Sequence, residues 1–185
     1  IWDNGEKIGS TVVDENGNWT WQPEAPLPDG EHNISTTETD KAGNTSEPSP
    51  GINIVVDTTP PDADSLAITG VNDTVGEITG NIDNGGKTDD SRPTISGTGT
   101  AGDTIVLYTT DASGKHEIGR TTVDADGNWS IQPQNPLLAG ENVFSAKEID
   151  PAGNNITSGD YSVTLYVIGP DVPSIGAIVD NAGPQ

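Results

Sequence analysis

Short stretches of the chain alternate between apolar and polar residues, which is the pattern of β-strands with one buried face. Residues 142–149 and 161–167 alternate in this way with a period of two. The segment Thr104–Tyr108 consists of β-branched and aromatic residues, which favour strands. Further strands are predicted at residues 65–69, 93–97, 117–123 and 128–132. About seven short strands per repeat, with no helical periodicity between them, predict an all-β fold.

Turns that contain glycine separate these strands. Residues 3–6, Asp-Asn-Gly-Glu, predict a hairpin between Ile1-Trp2 and Lys7-Ile8, and residues 124–127, Asp-Ala-Asp-Gly, predict a second hairpin. Short strands with regularly spaced turns are typical of tandem immunoglobulin-like β-sandwich domains with Greek-key connections. The core of such a sandwich is expected to include Trp129, Ile131, Val143 and Leu165.

The sequence repeats itself with a domain-sized period. Residues 8–19 match residues 118–129 at an offset of 110, and the match continues to Asp40-Lys41-Ala42-Gly43-Asn44 and Asp150-Pro151-Ala152-Gly153-Asn154. A second match, between residues 73–76 and 180–183, has an offset of 107. The predicted organisation is the C-terminal part of one domain at 1–57, a linker at 58–62, a complete domain at 63–168, and a linker with the start of a third domain at 169–185.

The first repeat aligns only with the later part of the second. Ile1-Trp2 corresponds to Leu107-Tyr108, so counterparts of about 44 residues, 63–106, do not precede it in the sequence. A sandwich buries each sheet against the other. Either the molecule has residues that the sequence omits, or the strands that cover this repeat come from elsewhere.

Composition excludes several classes of function. The 185 residues include 29 Asp and Glu against 7 Lys and Arg, a formal charge of -22. So few cations argue against nucleic-acid binding, and no apolar run approaches the ~18 residues of a membrane-spanning helix. Cysteine and methionine are both absent, so disulfides and thiol chemistry are excluded. A compact chain of this charge repels itself, and bound cations or the surrounding salt are expected to neutralise it.

The order of several short motifs resembles a known family. Residues 86–98 (Gly-Lys-Thr-Asp-Asp-Ser-Arg-Pro-Thr-Ile-Ser-Gly-Thr), 101–105 (Ala-Gly-Asp-Thr-Ile), 126–129 (Asp-Gly-Asn-Trp) and 150–154 (Asp-Pro-Ala-Gly-Asn) together resemble the tandem bacterial Ig-like repeats of giant type I-secreted adhesins. The resemblance implies a secreted or surface-located rod of many domains, calcium near the domain junctions, and a part in host attachment and virulence. The implied partners are neighbouring repeats and, through other regions, a host-surface glycan or receptor.

Calcium is therefore the expected cofactor, since it takes 6–8 oxygen ligands and this chain offers Asp and Asn in tight loops. The alternative for any one of these residues is a turn residue that caps its own backbone. The adjacent acids Asp89 and Asp90 require a cation or a hydrogen-bond donor. The loop at 124–128 and its counterpart at 14–18 are better explained as polar turns. The candidate ligands are Asp40, Asn44, Asp57, Asp62, Asn72, Asp73, Asp89, Asp90, Asp150, Asn154, Asp171 and Asp180.

The remaining candidate residues favour structural roles. Trp19, Trp21 and Trp129 are expected in the core, while Trp2 could be buried or exposed. The two histidines fall at unrelated positions of the repeat, and no nucleophile or phosphate-binding motif is visible, so no enzyme activity is expected. The predicted function is a calcium-stabilised shaft segment of an adhesin, expected to be monomeric and not inserted in a membrane. The alternative is a carbohydrate- or receptor-binding Ig-like module.

Overall fold

The chain folds into β-strands joined by tight turns. The computed structural model describes residues 1–77 and 79–167, which contain strands and no α-helix. None of the described residues forms a helix that is long and apolar enough to span a membrane. The strands are β1 (Trp2–Asp3), β2 (Glu6–Lys7), β3 (Gly30–Ser35), β4 (Ile52–Val56), β5 (Ala67–Asp73), β6 (Gly80–Ile82), β7 (Gly86–Thr88), β8 (Thr94–Thr98), β9 (Thr104–Asp111), β10 (Gly114–Thr122), β11 (Asn128–Ile131), β12 (Gly140–Ile149), β13 (Asn155–Thr157) and β14 (Tyr161–Leu165).

The strands belong to two compact units. The first comprises residues 1–62 together with 149–156, and the second comprises 63–148 together with the described residues from 157 onward. The first unit holds one sheet in the order β2-β1-β3-β4. Its predicted hairpin is confirmed, because β1 and β2 pair antiparallel across Asn4 and Gly5, which have φ values of 49° and 87°. Two positive φ values in a two-residue turn suit the Asn-Gly sequence.

The second unit is a two-sheet sandwich, as the strand pattern predicted. One sheet has the order β11-β8-β5-β6, and the other has the order β10-β9-β12-β14-β7, with β13 paired to β12. The three-residue strands β6, β7 and β13 were not predicted, because runs this short have no readable periodicity. The strand β7 pairs parallel with β14, with Val163 opposite Gly86 and Leu165 opposite Thr88, whereas the strands of a Greek key pair antiparallel. The N-terminal part of this unit thus contributes β5 and β6 to one sheet and β7 to the other.

The core of the second unit lies between its sheets. The side chains of Trp129, Ile131 and Leu165 are buried there, as predicted. The prediction for Val143 was wrong by one residue. Val143 is half-buried, while its neighbour Asn142 is fully buried and Phe144 follows it into the core. The sequence pattern assigned the wrong face of β12 to the core, because Asn142 is polar and yet points inward. A shift of one residue exchanges the two faces of a strand.

Two other sequence predictions need correction. The turn at residues 124–127 forms, but β10 pairs with β9 and β11 pairs with β8, so this turn connects the two sheets and is not a hairpin. The expected burial of Trp19 is also wrong, since 47% of the residue is exposed. Trp21 and Trp2 are half-buried.

Candidate metal centre

The loop at residues 150–154 is organised around one carboxylate. The Asp150 Oδ1 atom accepts hydrogen bonds from the backbone N–H groups of Ala152 and Asn154, both at 2.9 Å. Its Oδ2 atom accepts one from Asn154 Nδ2 at 2.9 Å. Gly153 in this loop has a φ of 97°, and its counterpart in the first repeat, Gly43, has a φ of 92°. Glycine stands at both positions because it adopts a positive φ without strain. The Asp-x-Ala-Gly-Asn sequence therefore specifies a turn that is capped by its own first residue.

The same loop recurs at residues 40–44. Asp40 Oδ1 accepts hydrogen bonds from the N–H groups of Ala42 at 2.9 Å and Asn44 at 2.8 Å, and Oδ2 accepts one from Asn44 Nδ2 at 2.9 Å. The donor set matches that of Asp150 atom for atom. The two loops differ in their surroundings, because Asp40 and Asn44 are exposed whereas Asp150 and Asn154 are half-buried.

Hydrogen bonding favours the ionised form of both aspartates. The side-chain hydrogen bond from Asn44 is the main cause that lowers the pKa of Asp40. For Asp150, desolvation is the largest influence and raises the pKa, but the hydrogen bonds from Asn154, Gly153 and Ala152 together outweigh it, and the pKa is lowered. Both loops therefore hold a negative charge that could attract a cation.

The predicted junction ligand Asp57 lies beside this loop. Asn154 Nδ2 donates a second hydrogen bond to the backbone carbonyl of Asp57 at 3.0 Å. The Asp57 carboxylate accepts one from the Thr59 N–H at 3.0 Å. The backbone carbonyl of Asp57 and the side chains of Asp150 and Asn154 thus lie close together within the first unit. Asp62 is exposed.

A second group of predicted residues meets in the second unit, between β5 and the segment that follows β7. Asp73 is buried and accepts hydrogen bonds from the Thr88 hydroxyl at 2.7 Å and the Val75 N–H at 2.8 Å. Asp90 is also buried and accepts from Thr74 N–H at 3.1 Å, Thr74 Oγ1 at 3.0 Å and Arg92 N–H at 2.8 Å. Donors from the protein satisfy these carboxylates, which is the arrangement of loop-forming residues.

The other predicted ligands do not join these groups. Asn72 is exposed on the face of β5 opposite to Asp73, and Asp89 is exposed. Asp171 and Asp180 lie outside the described residues. Within residues 1–77 and 79–167, no three His, Asp or Glu side chains stand close enough together to hold a metal ion. The carboxylates and amides suit calcium in their oxygen chemistry, but a complete ligand set would need backbone carbonyls or water as well.

Sequence reasoning missed Asp29, which organises the start of the predicted linker. Its Oδ1 atom accepts hydrogen bonds from the Thr58 N–H at 3.0 Å and the Thr58 hydroxyl at 2.8 Å, and Oδ2 accepts one from the Thr59 hydroxyl at 2.9 Å. The hydrogen bond from the Thr58 side chain is the main cause that lowers the pKa of Asp29. The repeat has Ala139 at this position, so no repeated motif marked the residue.

The chain matches a known protein family in two places. The bacterial Ig-like domain family matches residues 1–58 and again residues 65–165. No curated protein matches the chain.

Several solved structures align with the chain at low sequence identity. A tetra-tandem repeat from the extending region of a large adhesion protein is 22% identical, with a TM-score of 0.42, covering 84% of this chain and 37% of that one. The BSP domain of a biofilm associated protein is 23% identical, with a TM-score of 0.38, covering 89% and 24%. A Ca²⁺-stabilised adhesin that helps an Antarctic bacterium bind ice is 25% identical, with a TM-score of 0.31, covering 73% and 31%. This chain spans well under half the length of each, and TM-scores of this size establish neither fold nor function.

Proposed function

The chain belongs to the bacterial Ig-like domain family, and from this premise we propose that it is a calcium-stabilised segment of the shaft of a bacterial surface adhesin. In this role it holds a distal binding region away from the cell and contributes to attachment. The observation that carries the proposal is the repeat itself, with one family match at residues 1–58 and the next at 65–165, leaving only a few residues between them. Two domains of one kind in close succession suit a spacer better than a single specific site.

The short connection favours a stiff shaft. Residues 57–62 include Pro60 and Pro61, and proline fixes φ and restricts the residue before it. Asp29 binds Thr58 and Thr59, and Asp57 caps Thr59, so the first residues of the connection are held to the first unit by side-chain hydrogen bonds. Inter-domain motion is otherwise the default for linked domains.

Calcium would add to this stiffness at the loop around Asp150. The residues that would hold it are Asp57, Asp150 and Asn154, which the fold brings together. Bound calcium supplies positive charge among carboxylates, and the chain carries 22 excess negative charges. The carboxylate of Asp150 is already kept ionised by its loop, so the protein contributes a charged oxygen ligand without a change in protonation.

The proposal includes a location and partners. A shaft segment works on the outside of the cell, and we extend the proposal to export by type I secretion and to a role in virulence. Its partners are neighbouring Ig-like repeats of the same chain, and the segment acts as a monomer. No catalytic role is proposed, since a repeated structural domain of this family needs none.

Thermal unfolding in calcium, in magnesium and in a chelator tests the metal part of the proposal. A ligand that binds only the folded state stabilises it by about 2.7 kcal/mol at a hundredfold excess over its Kd, so calcium should raise the Tm. Magnesium should do less, because it keeps its water and prefers a small octahedral site. Asp57→Asn should reduce the calcium response, whereas Glu15→Gln, which removes an exposed carboxylate from the same unit, should leave it intact. The same Tm in calcium and chelator would remove calcium from the proposal.

One observation favours a second function, a carbohydrate-binding module. The half-buried Trp2 and the exposed Trp19 line one groove of the first unit, about 1090 Å³ in volume, and an aromatic ring that is open to solvent is suited to stacking against a sugar. The repeat argues against this reading, because the residue equivalent to Trp19 is the core residue Trp129. Glycan-array binding that is lost in Trp19→Ala and kept in Trp21→Ala would establish the alternative.

A further inference from the structure

A histidine and an aspartate form a buried pair in the first unit. Asp3 in β1 and His32 in β3 lie on neighbouring strands, and only 5% of the His32 side chain and 12% of the Asp3 side chain are exposed. His32 Nδ1 lies 2.5 Å from Asp3 Oδ2, and His32 Nε2 lies 2.8 Å from the backbone carbonyl of Pro28. The imidazole ring therefore joins β1 to the segment that precedes β3.

The two contacts of the ring dictate its charge. The Pro28 carbonyl can only accept a hydrogen bond, and so can an ionised carboxylate. Both ring nitrogens must donate, which only the protonated imidazolium can do. The hydrogen bond to Asp3 is the main cause that raises the pKa of His32, and the Pro28 carbonyl acts in the same direction. The other carboxylate oxygen of Asp3, Oδ1, is buried with no hydrogen-bond partner among the described residues. His32 is therefore the group that neutralises the Asp3 charge.

The second unit has a neutral pair at the same positions. Trp2 pairs with Lys7 in the β1–β2 hairpin as Tyr108 pairs with Glu117 in the β9–β10 hairpin, which places Asp3 at the position of Thr109. His32 stands at the position of Asn142 in the repeat. Thr109 and Asn142 are both buried.

The contacts of that neutral pair follow those of His32. The Thr109 hydroxyl contacts Asn142 Oδ1 at 3.5 Å, and Asn142 Nδ2 donates to the Leu138 carbonyl at 2.9 Å. Leu138 is the counterpart of Pro28. One geometry is thus built with titratable groups in the first unit and without them in the second.

We propose that the Asp3–His32 pair is a proton-dependent lock on the first unit, which holds β1 to the segment before β3 only while His32 is protonated. The second unit, with Thr109 and Asn142 in the same place, lacks this dependence. Loss of the proton would set an unprotonated nitrogen against either the Asp3 carboxylate or the Pro28 carbonyl. It would also leave the buried Asp3 charge without its counterion, which is costly.

The direction of the effect follows from the two states of His32. Its pKa is higher in the folded than in the unfolded chain, where it is about 6.5. The stabilisation is therefore complete below about pH 6.5 and is lost as the pH rises through the folded-state pKa of His32. Among the described residues around the pair, the Ile1 ammonium group donates a hydrogen bond to the Gly9 carbonyl at 2.8 Å. The strand β4 carries no ionisable group, and Asp29 is occupied by two threonines. The remaining charged groups on the neighbouring strands are exposed: Glu6, Lys7 and Glu31.

NMR titration of the histidine rings in the full chain tests the lock directly. The expected result is that both ring nitrogens of His32 carry protons at neutral pH and that its signal titrates above pH 6.5, with His116 as a reference in the same spectrum. Hydrogen exchange then reads the stability of each unit. The amides of β3 should lose protection as the pH rises above about 6.5, after correction for the intrinsic exchange rate, and those of β12 should not. A neutral His32 at pH 6.5, or equal pH dependence in both strands, would overturn the proposal.

A matched pair of variants separates the lock from other titrations. Asp3→Thr with His32→Asn gives the first unit the residues of the second, and the pH dependence of β3 protection should disappear. His116→Asn removes the other histidine and should leave the dependence unchanged. Persistence of the dependence in the double variant, or its loss in His116→Asn, would show that another group is responsible. The titration of the unmodified chain decides the question even where the double variant does not fold.

Discussion

Trp19 and Trp129 occupy the same position of the repeat, yet 47% of Trp19 is exposed and only 4% of Trp129 is. The ring of Trp129 lies against the backbone of Gly97, so closely that a Cβ atom there would overlap it, and its Nε1 donates to the Thr98 carbonyl at 2.8 Å. Both partners belong to β8, and the described first unit has no counterpart of that strand. The same tryptophan is thus a core residue or an exposed one according to the presence of its partner strand.

Contacts between segments that both repeats contain behave differently. Trp21 lies against Gly9 so that a Cβ atom on the glycine would overlap its ring, and Ile131 lies against Gly119 in the same way. These pairs occupy equivalent positions. Local geometry therefore recurs wherever the local sequence recurs, while the burial of this tryptophan depends on the neighbouring strand of its own sheet, β8.

Alanine substitution of the two tryptophans should give the largest difference between the units. Trp129→Ala should cost about 3–5 kcal/mol of the stability of the second unit, because it opens a cavity in a filled core. Trp19→Ala should change the stability of the first unit by no more than about 0.5 kcal/mol, because the ring has little cover to lose. Residue-resolved hydrogen exchange measures both, since a two-unit chain is not described by one unfolding transition.

A control keeps this comparison specific. Trp21→Ala should destabilise the first unit more than Trp19→Ala, because Trp21 packs on Gly9 within that unit. A large loss from Trp19→Ala would mean that its face is covered in solution, and the contrast between the two units would then disappear.

The repeated capped loops should give the next largest effect. Asp150→Ala and Asp40→Ala each remove three hydrogen bonds of the same geometry. Asp150→Ala should lower the Tm by more, because Asp150 is half-buried and fixes the Asn154 amide that contacts the Asp57 carbonyl. Because both pKa values are lowered in the folded state, the stabilisation is present above about pH 3.9 and is lost as the pH falls through the folded pKa. Melting curves from pH 7 downward measure it, and equal losses from the two variants would show that the Asp57 contact adds nothing.

The capped loops also show which features of the fold can be predicted from the sequence. The Asp-x-Ala-Gly-Asn spacing predicted a tight loop in both repeats, because the turn is specified by residues four apart. The Asn4-Gly5 hairpin was predictable for the same reason. The phase of β12 was not, since Asn142 is a polar residue that is buried by its bonds to Leu138 and Thr109, and those partners lie on other segments.

The residues of the candidate site also differ in whether the sequence could indicate them. Asp57, Asp150 and Asn154 could be named as candidate ligands, because Asp and Asn offer oxygen atoms in tight loops and at the joint between the repeats. Asp29 could not be foreseen, because its threonine partners are about 30 residues away and Ala139 replaces it in the repeat. Long-range hydrogen bonds of single residues leave no pattern in one sequence.

Asp29→Ala would give the first unit the residue that the second has, and it should have a smaller effect than the loop variants. Three hydrogen bonds from Thr58 and Thr59 are lost, but all the groups are exposed and water can replace the protein donors. The pKa of Asp29 is lowered by the Thr58 hydrogen bond, so its contribution is present above about pH 3.9 and fades as the pH falls through its folded pKa. Amide exchange at Thr58 should increase in the variant while that of β3 stays constant. Unchanged exchange at Thr58 would mean that the hydrogen bonds do not order the connection.

The smallest effect is expected at the ion pair of Arg120 and Glu117, which exists in only one unit. Arg120 Nε lies 2.6 Å and Nη2 lies 2.9 Å from the two oxygens of Glu117, a two-pronged contact on a well-exposed surface. The repeat has Ser10 at the position of Arg120 and Lys7 at that of Glu117, so the first unit forms its hairpin without the pair. Exposed pairs contribute little, because water and salt screen the charges and two long side chains must be held in place. Arg120→Ser should therefore leave the Tm of the second unit nearly unchanged, and raising the salt concentration should affect both proteins equally. A drop comparable to that of Asp150→Ala, and one that salt abolishes, would show that this hairpin depends on a charge pair that its counterpart does without.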